Sequence, residues 1–107
     1  MGQPVSRKSD RSFVPQDSHN RSCCTHAAIG PAVEGSQNVI VNSLPALRVG
    51  DAGVHSTCCG PNTWLAKTGS STVLVNGRRI HRLKDIDQHC GGPGYMVDGS
   101  PDVIAGG

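Results

Sequence analysis

Five cysteines and five histidines stand in a chain of 107 residues, and most of them are clustered. Asp51 is followed four residues on by His55 and then by Cys58-Cys59-Gly60-Pro61. Asp85 is followed four residues on by His89, then by Cys90 and Gly91-Gly92-Pro93. Cys23-Cys24-Thr25-His26 comes before Gly30-Pro31 in the same way. Imidazole nitrogen and thiolate sulfur are the donors that tetrahedral zinc prefers. The recurrence points to His26, His55 and His89 as one ligand from each of three segments. Cys59, which directly precedes a Gly-Pro turn, is the expected fourth ligand. Cys90, Cys24 and Cys58 remain alternatives. Four protein ligands leave no open position, so such a site is structural rather than catalytic. For any one of these histidines the plain alternative is a solvated loop position. His19 has no counterpart elsewhere and reads as exposed. His81 aligns with Leu47 and reads as a structural strand residue, and Trp64 as a packing residue.

The elements that must position these donors are three copies of one unit. Gly35-Ser36-Gln37-Asn38-Val39-Ile40-Val41-Asn42, Gly69-Ser70-Ser71-Thr72-Val73-Leu74-Val75-Asn76 and Gly99-Ser100-Pro101-Asp102-Val103-Ile104-Ala105-Gly106 are one phrase. Each is a turn feeding a short strand. The apolar runs are continuous, which predicts strands buried on both faces, within the chain or against a partner. Arg7 and Asp10, Arg48 and Asp51, and Arg82 and Asp85 recur at one spacing, which points to a turn or capping role for the carboxylates. Asn42-Ser43 and Asn76-Gly77 separate strand from Arg-x-x-Asp, and Asn-Gly is a strong hairpin signal. No segment sustains a helical period. The expected fold is all-β: three short hairpin-like repeats that converge with pseudo-threefold symmetry on one axis, stapled by a metal at one end of it. One domain covers residues 1–107, with a longer first loop at about residues 11–34.

Composition agrees. The chain has one Phe, one Trp and one Tyr against fourteen Gly, so its core needs a staple. Metal binding energy then becomes folding energy. An odd number of cysteines does not close into internal disulfides. Met1 to Asp10 lacks the apolar stretch of a signal peptide, so a reducing compartment and metal, rather than disulfide, are expected. The net charge of +2 with no basic stripe argues against nucleic acid. Glu34 is the only Glu and lies at a Gly-Ser turn rather than beside the His/Cys segments, so no general base is at hand and the chain reads as a non-enzyme. The other readings are a zinc-stapled binding module of another assembly and, less well supported, a small zinc hydrolase.

Leu44-Pro45-Ala46-Leu47-Arg48-Val49-Gly50-Asp51 resembles the motif that names the PAAR-repeat (Pro-Ala-Ala-Arg) family. The three Gly-Ser-x-x-Val phrases match that family too, and the similarity runs from about Pro4 to the C-terminus. The resemblance implies that the repeats form a cone with a metal-stapled vertex, a sharp, membrane-piercing structural tip, one chain on each trimeric β-helical spike of a contractile injection machine, either a type VI secretion system or a contractile phage tail. It implies a structural zinc near the vertex, transient contact with the target cell envelope and, in the wider family, effector cargo on extensions. The expected location is a virion tail or baseplate tip, or the bacterial cytoplasm before ejection. With no visible extension, a bare tip is expected. The sequence departs from the family pattern in an insertion at about Arg11 to Asn20, and in Arg78-Arg79-Ile80-His81-Arg82 in place of the named motif.

Overall fold

The computed structural model describes residues 2–17, 26–55, 63–89 and 92–106, and every regular element among them is a β-strand. Each Gly-Ser phrase makes its turn through the serine hydroxyl. Ser36 Oγ accepts the N–H groups of Asn38 and Val39, Ser70 Oγ those of Thr72 and Val73, and Ser100 Oγ those of Asp102 and Val103. Two short hairpins follow: β4 (Ile40–Val41) with β5 (Leu44–Pro45), and β8 (Leu74–Val75) with β9 (Arg78–Arg79). Their turn residues Asn42, Ser43, Asn76 and Gly77 all have positive φ, as a two-residue type I′ turn requires. In the remaining unit β1 (Gln3–Pro4) pairs antiparallel with β12 (Ile104–Ala105), taking the place of the hairpin.

The three units close on an axis. The Ser6 N–H donates to the His81 carbonyl (3.0 Å), that of Leu47 to Ser6 (3.0 Å) and that of His81 to Leu47 (2.9 Å). This triangle of backbone bonds is the pseudo-threefold symmetry in its most compact form. Around it lie two triads of buried apolar side chains, Val5, Ala46 and Ile80, and Val41, Val75 and Ala105. No aromatic ring fills this layer, so polar bonding holds it together. Each Arg-x-x-Asp is a reverse turn whose third residue, Ser9, Gly50 or Lys84, has positive φ. The aspartate accepts the arginine's own N–H and two of its guanidinium nitrogens, for example Arg48 Nε to Asp51 Oδ2 at 3.0 Å and Nη2 to Oδ1 at 3.0 Å. Such forked, charge-assisted bonds are the strong ones.

From each of these aspartates the chain runs out of the base layer and back again. The out-and-back pairs are β2 (Arg11–Asp17) and β3 (His26–Pro31), β6 (Ala52–Val54) and β7 (Thr63–Ala66), and β10 (Ile86–His89) and β11 (Pro93–Met96). They form one antiparallel sheet in the order β3-β2-β11-β10-β7-β6. Its two edges meet through an Ala32–Gly53 bridge and a 2.9 Å bond from the Val33 N–H to the Ala52 carbonyl, so the sheet is nearly closed. Val14, Ala28, Trp64, Ala66 and Met96 fill its interior. Gly53 lies flat against the Trp64 indole: a Cβ there would come 2.1 Å from the ring. The molecule is elongated, 39 × 26 × 24 Å.

One expectation changes: the polar segments after each aspartate, including the long first one, are strands over much of their length rather than loops. Within the single chain the apolar runs are buried on one face: Ile40, Leu74 and Ile104 are 55%, 62% and 66% exposed, while the residue after each is buried.

Candidate metal centre

His55 directly follows β6, and His89 ends β10. Both side chains turn into the narrow end of the sheet and are buried. Their rings lie edge to edge and nearly coplanar, with centroids 4.8 Å apart and planes 6° from parallel. The Nδ1 atoms stand 2.7 Å apart. Two lone pairs at that distance repel, so the arrangement requires a proton or a cation between them. Nitrogens bound to one tetrahedral zinc would lie about 3.3 Å apart, close to this separation, and the two imidazoles are donors of the kind zinc takes.

The far side of His89 is also held. Its Nε2 is 2.8 Å from Ser12 Oγ on β2, and Ser12 Oγ also donates to the Tyr95 carbonyl at 3.4 Å. The Trp64 ring is 6.0 Å from that of His89. Gly94, the nearest residue of β11, leaves room for the imidazole, since a Cβ there would lie 2.7 Å from it.

Of the expected ligands, His55 and His89 come together. The His26 backbone opens β3 opposite Asp17, which puts it at the loop end of its hairpin. Cys59, with the alternatives Cys90, Cys24 and Cys58, lies outside the described residues, as does His19. Among the described residues no three His, Cys, Asp or Glu side chains converge on one point. Counting from the repeated aspartates, the first-unit equivalent of His55 and His89 is Val14 rather than His26, which lies on the opposite strand of its hairpin.

His81 is fully buried on the axis, its Nδ1 2.5 Å from the Thr68 carbonyl and its Nε2 2.6 Å from the equally buried Asp87 Oδ1. The Asp87 contact has the distance of an ion pair but not the angles of a hydrogen bond. Elsewhere, the Arg11 guanidinium holds the Asp98 carboxyl below its ordinary range. The Asn42 amide does the same for Asp102. Asp10 and Asp85, through their hydrogen bonds, raise the pKa of Arg7 and Arg82. Ser12 was not evident as a site residue in the sequence. Its signal was its place two residues after Asp10, where the other units carry Gly53 and Asp87.

Residues 24–93 match the family described as PAAR motif. Two curated proteins are 37% identical over 86 residues, 73% of this chain. They are the NAD(P)(+) glycohydrolase toxin Tse6 of Pseudomonas aeruginosa PAO1 and the (p)ppApp synthetase toxin Tas1 of Pseudomonas aeruginosa UCBPP-PA14. The matched stretch is 19% of the length of either relative.

Proposed function

This chain belongs to the PAAR-motif family, and from that premise we propose that it is the non-enzymatic tip of a contractile injection machine, capping the blunt end of a trimeric β-helical spike. The observation that carries this is the base layer. Ile40, Leu74 and Ile104 are the large exposed apolar side chains at one equivalent position of all three units. A single chain thereby offers three similar contacts to three identical partners. Burying them on the spike would also cover strand edges that otherwise invite aggregation.

Both curated relatives are bacterial toxins, which favours a secretion machine of the type VI kind over a phage tail. Their names also support a role in delivering toxic cargo. In that setting the chain waits in the bacterial cytoplasm and meets the target envelope only on firing.

The vertex is proposed to hold a structural zinc through His55 and His89, with His26 and one cysteine, Cys59 first, completing the set. Bound there, zinc would supply a cross-link between hairpins that share little apolar surface. Asp87, the carboxylate nearest in sequence to His89, faces His81, and Glu34 accepts the Ala52 N–H at 2.8 Å. Glu34 is thus held in the base layer and Asp87 lies against His81, which favours a structural over a hydrolytic site.

The test is a binding measurement against the spike protein of the same genetic cluster. Ile40→Asp with Leu74→Asp should abolish binding while the fold persists. Undiminished binding by that variant would refute the base-docking reading.

A further inference from the structure

The pseudo-symmetry breaks at one level of the sheet interior. Four residues after the repeated aspartate, the second and third units carry His55 and His89, whereas the first carries Val14. Two residues after the aspartate, the first unit instead carries a hydroxyl, Ser12, which is fully buried. Its Oγ lies 2.8 Å from His89 Nε2. The Tyr95 carbonyl, 3.4 Å from Oγ, can take the hydroxyl proton, which leaves the oxygen to accept from His89 Nε2. His89 Nδ1 is the atom that faces His55 Nδ1 at 2.7 Å. A neutral imidazole that offers Nδ1 to a metal carries its proton on Nε2, where Ser12 Oγ stands as the acceptor.

We infer that Ser12 is the positioning residue of the metal centre: it fixes His89 as the Nε2–H tautomer and commits Nδ1 to the metal. The inference rests on the metal reading above and extends it to a residue outside the ligand set. Metal-bound histidines commonly donate their second ring N–H to a fixed acceptor, and loss of that acceptor typically costs ten- to a hundredfold in affinity. The first unit, lacking an imidazole at the repeated position, contributes from this position by orienting a neighbour's imidazole.

The experiment pairs long-range proton–nitrogen NMR of His89 with zinc titrations competed by a chelator, on wild type, Ser12→Ala and Ser12→Thr. The metal-free wild type should show the Nε2–H tautomer, and the zinc-loaded protein should keep that proton with Nδ1 bound. Ser12→Ala should lose the tautomer preference and about 10–100-fold in zinc affinity, and Ser12→Thr should recover both. An Nδ1–H tautomer in the metal-free wild type would overturn the inference without any variant having to fold. So would a folded Ser12→Ala that binds zinc like wild type. A wild type that takes up no zinc at all would overturn the metal reading itself, and the role of Ser12 with it.

Discussion

Arg48 Nη1 donates to Asn76 Oδ1 at 3.1 Å, so the Arg-x-x-Asp turn of one unit is tied to the hairpin tip of the next. Arg7 holds Asn42 in the same way at 3.0 Å, and Arg82 holds the Gly106 carbonyl at 3.1 Å. The serines close the ring from the other side, Ser36 on Asn76, Ser100 on Asn42 and Ser70 on the Gly106 carbonyl. A base layer with little apolar volume is thereby laced together around its rim.

The aspartates anchor that lacing, and they are not equivalent. The Asp51 side chain is 2% exposed and also accepts Arg78 Nη2 at 3.2 Å, whereas those of Asp10 and Asp85 are 9% and 11% exposed. Asp51→Ala removes the carboxylate from a half-buried Arg48 guanidinium, which keeps only Asn76 Oδ1 and the Gly35 carbonyl, and leaves the Arg48 N–H without its acceptor. It should cost about 3–5 kcal/mol, and Asp10→Ala and Asp85→Ala less. Denaturant unfolding of the three variants gives the order, and equal losses would count against this account.

Metal removal should be visible through Trp64, the only tryptophan, whose ring lies 6.0 Å from His89. Chelation is expected to shift its fluorescence and lower the melting temperature. Zinc at a hundred times its dissociation constant should restore about 2.7 kcal/mol. His55→Ala and His89→Ala should remove the response. Identical melting with and without chelator would exclude a structural metal.

Gly53→Ala tests the packing beneath the site. A methyl group there meets the Trp64 ring at 2.1 Å, closer than any real contact, and displacing the indole should cost about 1–3 kcal/mol. An unchanged unfolding midpoint would mean that the ring does not lie on the glycine.

Acid dependence should report Asp98. The hydrogen bond from Arg11 lowers its pKa in the folded state from the ordinary 3.8. The pair's contribution is therefore complete above the unfolded value and disappears as pH falls through the folded one. Solvent reaches both side chains and screens the pair, so the effect should be small. Asp98→Asn should flatten that part of the stability curve below about pH 4 and leave neutral pH differing only by the lost pair. An acid limb identical to wild type would remove Asp98 from the explanation.

Much of the base was legible in the sequence, because its geometry is written in residues with few conformational options. The Gly-Ser turns, the Asn42-Ser43 and Asn76-Gly77 hairpins and the Arg-x-x-Asp turns all appear where the repeats put them. The nearly closed sheet was not legible. Its interior accepts Ser12, Asp87, His55 and His89, while Val54, Leu65, Ile86 and Tyr95 stay partly exposed outside. With polar side chains sharing the interior with Val14, Trp64 and Met96 and apolar ones left outside, the usual apolar-in alternation is blurred, and the Gly-rich, His- and Cys-bearing stretches read as loops. The partnership of His55 and His89 followed from their equal distance from Asp51 and Asp85. Val14 in the matching first-unit position can be counted from Asp10 in the same way, but the approach of the Ser12 hydroxyl to His89 depended on knowing which side chains face inward.

The most direct test of the central claim is native mass spectrometry of the chain co-expressed with the spike protein of its own genetic cluster. The account predicts one chain on each spike trimer, since three similar faces in one molecule satisfy three identical partners. Three chains per trimer, or no complex, would contradict it.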